Sequence, residues 1–292
     1  VTACVEETGA AGGVAVWGDM PEPPVGQLTG EPEKASRHRA DPLVREGWAT
    51  LVGVLGEGGA LRFASETGLL WLRPDIAVTG AAQDVVERVA ADGFVPVGAC
   101  VVRLDRGGVR ALWWWQLNRA TAERLLLLEA VAALGPGLLV LYRHPEGDPA
   151  RRLTRLKGGN DPAGRPVDSL RSVAGSPNRL LTMVHTSDDP LDVVRELAVF
   201  LSWRERAELV ASAWASSPAG SPVLEARLAA MQAAYPGCPP VSPVTSGRVL
   251  ERRGEAFAAL VRDVAAPHVP QRWAAVSAWS RRVPLLNDGS AR

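Results

Sequence analysis

The run of apolar segments between residues 68 and 201 predicts an α/β (α+β) fold. The expected core is a ferredoxin-like, four-stranded antiparallel sheet covered by helices, with an additional helical region at the C-terminus. Three observations carry this expectation. Short aliphatic runs alternate with amphipathic stretches in the order β-α-β-α-α-β-loop-β-α. Glycine or proline punctuates the joins between them. Beyond residue 203 the spacing is helical only.

Residues 1 to about 40 are rich in Gly, Pro and acidic side chains and read as a tail or loosely packed arm. Trp48, Leu51, Val52 and Leu55 recur on one helical face, and LRFASETG (61–68) reads as an edge strand. GLLWLRP (68–74) is a strand stopped by Pro74. Val85, Val86, Val89 and Ala90 then mark a helix that Gly93 ends. FVPVGACVVRL (94–104) is the second strand, residues 106–134 hold two short helices, and GPGLLVLYR (135–143) carries the third strand. Residues 144–177, rich in Gly, Pro, Arg and Asp, read as a long loop with at most one helical turn. NRLLTMV (178–184) is the expected fourth strand. The helix after it has a clear start, with Asp189 at the cap, Pro190 at the first helical position and Asp192 at the third. Leu191, Val194, Leu197, Ala198 and Leu201 give it an inward face. Further helices are expected near 204–215, 222–235, 250–265 and 270–282, with YPGCPPVSPVTSG (235–247) as a linker.

Composition narrows the function classes. A chain of 292 residues that is 47% apolar builds a packed core over most of its length. The formal net charge of zero favours neither nucleic acid nor a membrane surface as partner. Cys4, Cys100 and Cys238 are odd in number and far apart, which argues against a disulfide framework or a cysteine metal site. Reduced thiols, the lack of a visible basic leader and the lack of a spanning apolar stretch give the expectation of a cytoplasmic protein.

The chemistry centres on His185. An imidazole at a strand end facing a helix N-terminus suits transfer of an anionic group, because the first-turn amides favour negative charge. A neutral imidazole can attack phosphorus, provided an acceptor orients its other nitrogen, and Glu196 stands eleven residues on. Arg73, Arg151, Arg152, Arg155, Lys157, Arg165 and Arg171 supply cations for phosphate oxygens. By spacing alone, a lone histidine near a strand end is more often a structural residue, the basic loop is equally a solvated face, and Asp188 and Asp189 fit as simple caps.

Three ordered segments carry a resemblance to a known family. WLRPDIAVTG (71–80), GGNDPAGRPVDSLR (158–171) and NRLLTMVHTSDDPLDVVRELAVFLSWRE (178–205) resemble, in order, the segments around the nucleotide site of nucleoside diphosphate kinases. The resemblance covers residues 66–209, leaving 1–65 as a partly irregular N-terminal extension and 210–292 as a helical C-terminal one. It implies a ferredoxin-like domain, a homo-oligomer, and ping-pong transfer of a γ-phosphoryl from ATP or another nucleoside triphosphate, with Mg2+ on the nucleotide phosphates. By the resemblance His185 is the phosphorylated nucleophile, Glu196 orients it, and Ser187 and Asp188 are its neighbours. Arg171 and Arg155 (or Arg152) contact phosphates, and Arg73 stands where the family has lysine. Thr182 and Thr186 replace the family's asparagine and glycine. The base clamp falls near Leu125, with Trp115 or Leu117 near the phosphates and Trp113, Trp114 and Trp115 as alternative surface. These departures leave open a decayed nucleotide-binding or regulatory protein. The extensions leave open a different nucleotide-dependent enzyme with a second small-molecule substrate.

Overall fold

The computed structural model describes residues 20–118, 120–216, 222–235, 262–265 and 267–280. The chain begins with helices α1 (Val25–Leu28), α2 (Pro32–His38) and α3 (Pro42–Glu66). Then come β1 (Gly68–Leu72), α4 (Pro74–Thr79), α5 (Ala82–Ala91) and β2 (Val95–Val102). Next are α6 (Arg106–Leu112), α7 (Trp114–Leu117), α8 (Ala122–Ala132), β3 (Gly137–Arg143), α9 (Pro149–Lys157) and α10 (Leu170–Val173). The short strand β4 (Val184–Thr186) leads into α11 (Pro190–Phe200), followed by α12 (Trp203–Ala215), α13 (Pro222–Gln232) and α14 (Val269–Ser280).

The four strands form one antiparallel sheet in the order β2-β3-β1-β4, the arrangement of a ferredoxin-like fold. Every residue of β1 is buried, as are Gly137 to Tyr142 of β3. Alternation is absent there because helices cover both faces of the central strands. Trp71 packs between Phe200 and Trp113, at ring distances of 5.0 and 6.1 Å. A bulge between Pro96 and Gly98 bends the outer strand β2, which α12 and α13 flank.

The N-terminal segment is part of this packing. Helices α3 and α11 cross so closely that a Cβ on Gly47 would sit 2.2 Å from the Val194 carbonyl oxygen. Val25, Leu28, Ala35 and His38 are buried, which corrects the expectation of a loose arm for that stretch. Residues 61–66 finish α3 instead of forming an edge strand, because Ala60, Phe63 and Ala64 bury at helical spacing. The helix kinks at Gly56, whose φ of 69° only glycine adopts freely.

Three further boundaries moved. The segment 106–134 holds three helical pieces instead of two, broken after Leu112 and again after Leu117. The 144–177 stretch contains the nine-residue α9, entered through Gly147 and Asp148 with positive φ and opened by Pro149 at its first turn. The fourth strand is three residues long and starts six residues late. Met183, at φ 62°, interrupts extended backbone before it, and Thr182 turns back to bond the Val184 amide. Residues 250–261 and most of the expected linker lie outside the described residues, as do Cys4 and Cys238. Burial pushes the Cys100 thiol up to about 12, consistent with a packing role. No helix among the described residues is long and apolar enough to cross a membrane.

Candidate active site

The site begins with the β4–α11 junction. Pairing with β1 sets His185 opposite Trp71, and alternation along β4 buries Val184 and Thr186 while leaving His185 partly open. The Ser187 amide donates to the Leu69 carbonyl (3.2 Å), and Asp189 caps α11 by accepting from the Asp192 amide (3.1 Å). Fixing the start of α11 in this way places Glu196 two turns in, directly behind the strand.

Both oxygens of Glu196 are engaged. Its Oε1 lies 2.8 Å from His185 Nε2, and its Oε2 accepts from the buried Ser187 hydroxyl at 2.6 Å. A carboxylate only accepts, so Nε2 carries a proton, and in the neutral imidazole Nδ1 holds the lone pair. Nδ1 has no hydrogen-bond partner among the described residues. Trp113 holds the ring edge-on at 5.7 Å and 88°. Thr186, at the position where glycine is expected, turns to the opposite side of the strand and meets the Thr154 hydroxyl at 2.9 Å.

His185 lines a pocket of about 600 Å³. Six cationic side chains line it as well: Arg73, Arg124, Arg155, Lys157, Arg171 and Arg179. Asp188 is the one carboxylate among its described lining residues. Burial and the neighbouring Arg73 and Arg165 draw the Arg171 guanidinium down to about 10. Burial and Arg179 lower Arg124 in the same way. Burial would raise the Asp188 carboxyl, but the Lys157 ammonium, with its charge and hydrogen bond, holds it below the ordinary range. Crowded like charges of this kind are relieved by a polyanion.

The expected residues divide by position. Arg73, Arg155, Arg171, Thr182 and His185 meet at the pocket, with Ser187 and Glu196 behind the imidazole. Arg73 is held tightly: Nε faces Asp75 at 3.1 Å, Nη1 donates to Thr182 Oγ1 (2.6 Å) and Nη2 to the Leu180 carbonyl (3.3 Å). Arg171 donates to the Gly158 carbonyl at 2.6 Å, and its buried Nε has no hydrogen-bond partner among the described residues. Arg152, the alternative to Arg155, pairs with Glu146 at 2.7 Å and is not a lining residue. Leu125 is not on the pocket wall either; Leu117 and Leu128 are. Trp115 lies outside it, edge-on to His38 at 6.1 Å and beneath Arg37 at 5.7 Å. The indole that enters is Trp113, over which the Arg73 guanidinium stacks at 5.6 Å.

Sequence reasoning left the other wall of the site unassigned. A smaller cavity of about 180 Å³ adjoins His185 and Trp113 and is closed by Lys34, Arg37 and His38 of α2. Lys34 bridges Asp189 and Asp192 at the start of α11, at 3.0 Å to the former. Asp41 receives both His38 (3.0 Å) and Arg195 (2.7 Å). Lys34 and Asp192 lie 158 residues apart in the chain and Asp41 and Arg195 lie 154 apart, separations that no local pattern reveals.

No group of three or more His, Cys, Asp or Glu among the described residues is arranged to hold a metal ion. A cation carried into the pocket by an anionic ligand would meet one carboxylate of the described lining, Asp188.

No family model matches the chain, and no curated protein matches it. Solved structures do. A nucleoside diphosphate kinase of Aquifex aeolicus is 18% identical with a TM-score of 0.41, over 47% of this chain and 95% of that one. One of Halobacterium salinarum, in complex with CDP, is 16% identical with a TM-score of 0.38, over 50% and 98%. One of Borrelia burgdorferi, with bound vanadate and ADP, is 16% identical with a TM-score of 0.39, over 48% and 89%. The likeness of this chain to nucleoside diphosphate kinases is one of fold, over about half its length.

Proposed function

We propose that the protein is a phosphotransferase of nucleoside diphosphate kinase type. It moves the γ-phosphoryl of a nucleoside triphosphate through His185 to a nucleoside diphosphate or a related acceptor. One observation supports this most: an imidazole oriented by Glu196, its Nδ1 without a partner among the described residues, on a pocket whose described lining holds six cations and one carboxylate. Glu196 and Ser187 fix the ring, and Glu196 stabilises the positive charge that develops on it as Nδ1 bonds to phosphorus. Arg171 and Arg155 hold phosphate oxygens, and Thr182 faces the sugar. Magnesium bound with the nucleotide would neutralise part of the phosphate charge, with Asp188 on its side of the pocket.

The test is labelling with a γ-labelled triphosphate and magnesium, followed by a chase. The expected product is an acid-labile, base-stable phosphoprotein that a nucleoside diphosphate discharges and His185→Gln cannot form. Nucleotide binding with no label would leave a binding module in its place. The cavity behind Trp113 favours a second reading, in which a small acceptor other than a nucleotide enters from α2. In that case the label persists with diphosphates and is lost to another acceptor.

A further inference from the structure

The chain has 32 Lys and Arg residues, and only Lys34 and Lys157 are lysines. Elsewhere arginine serves. Both lysines are largely buried, and both stand against the His185 region, Lys34 in the smaller cavity and Lys157 in the larger. Lysine carries a compact point charge on a flexible stem, where arginine presents a rigid planar fork.

Arg73 cannot play that part as placed. Its side chain is 3% exposed and its three nitrogens face Asp75, Thr182 and the Leu180 carbonyl. Asp75, wholly buried, also accepts the Met183 amide, so the pair ties the 180–184 segment to the start of α4. Moving Arg73 onto a phosphate would strand a buried carboxylate. Lys157 differs. Its Nζ meets Asp188 at 3.0 Å and the Thr186 carbonyl at 3.4 Å, leaving a third N–H. The Asp188 side chain is 59% exposed and also held by the Thr154 hydroxyl at 2.9 Å, so it keeps water and a donor if Lys157 turns away.

We propose, resting on the phosphotransfer reading above, that Lys157 is the cation meeting the transferred phosphoryl group and that Arg73 is a positioning residue. As the Nδ1–P bond forms, the bond from phosphorus to the bridging oxygen breaks, and the nucleoside diphosphate leaves with that electron pair. Lys157 swings from Asp188 and donates to a non-bridging oxygen of the phosphoryl group. It transfers no proton. Asp188 would then be free to help hold magnesium brought in with a nucleotide.

Two experiments test this. The unmodified protein is treated near neutral pH with pyridoxal 5′-phosphate, whose aldehyde condenses with a neutral amine, and then with borohydride. The expected result is modification of Lys157, on the wall of the larger pocket, suppressed at least about tenfold by a magnesium–triphosphate. In the second experiment Lys157→Met slows phosphohistidine formation by about 100-fold or more, with triphosphate affinity changed far less. Lys157→Arg recovers only part of the rate. Labelling of Lys157→Met at the rate of the unchanged protein, or modification that nucleotide does not suppress, overturns the assignment and leaves the His185 chemistry standing. If the unchanged protein forms no phosphohistidine, the transfer reading falls and Lys157 loses its role with it.

Discussion

Replacing Glu196 with glutamine isolates the electrostatic part of the site. Glutamine keeps the length and an amide oxygen for His185 Nε2–H, and its NH2 can donate to the Ser187 hydroxyl, so the ring stays in place. Only the negative charge is lost. In the unchanged protein that charge lies 2.8 Å from Nε2, between side chains 14% and 7% exposed, where salt screens it little. A charge-assisted hydrogen bond contributes about 1.5–3 kcal/mol, against about 1 for a neutral one. Coulomb attraction at roughly 4 Å and an effective dielectric near 20 gives about 4 kcal/mol as a ceiling. The barrier to phosphorylation should therefore rise by roughly 1–4 kcal/mol, a rate loss of about 5- to 1,000-fold. Rapid-quench single-turnover labelling measures the rate, and calorimetry with a non-hydrolysable triphosphate measures binding. Glu196→Gln labelling within about threefold of the unchanged protein would refute the electrostatic role. A loss confined to affinity would show that Glu196 shapes the pocket instead.

Gly47→Ala should destabilise the fold by at least about 2 kcal/mol, since the new Cβ meets Val194 O at 2.2 Å; a melting temperature equal to that of the unchanged protein would mean that α3 does not dock on α11 as described. Arg73→Lys should lower stability by roughly 1–3 kcal/mol, because lysine cannot reproduce the fork on Asp75, Thr182 and the Leu180 carbonyl; urea unfolding reads it. The Asp41 carboxyl gives a pH signature. Burial raises it, but the hydrogen bonds from His38 and Arg195 outweigh that and lower it to about 2. Its contribution is thus fully present above the ordinary carboxylate value near 4 and disappears as pH falls toward 2. Asp41→Asn should lower stability by on the order of 1–2 kcal/mol at neutral pH, and the deficit should shrink on acidification. A deficit independent of pH would place the effect in packing.

What was legible in the sequence follows from how local its causes are. The Asp189-Pro190 cap and the spacing from His185 to Glu196 could be read directly, because a cap and two helical turns fix their geometry. The three long strands announced themselves as apolar runs. The fourth was placed six residues too early, because residues 178–183 look extended but are held by side chains: Ser176 and Arg73 bond the carbonyls of Leu181 and Leu180. Helix α9 had a readable signal in Pro149 and in Ala150, Leu153 and Lys157 at one-face spacing, obscured by the arginines between them. The identity of the pocket tryptophan was not legible. Three consecutive indoles point three ways, and only the break between α6 and α7 decides that Trp113 faces His185. The cavity wall from α2 was beyond reach for the same reason as its salt bridges, since it depends on α3 folding back over α11.

The position of the phosphoryl group on the protein tests the central claim most directly. Brief reaction with a magnesium–triphosphate, followed by alkaline quench and fragmentation that preserves the phosphoramidate bond, locates both residue and ring nitrogen. The geometry predicts one phosphoryl group, on Nδ1 of His185. Phosphate on Nε2, on Ser187, or on no residue while nucleotide is bound would contradict it.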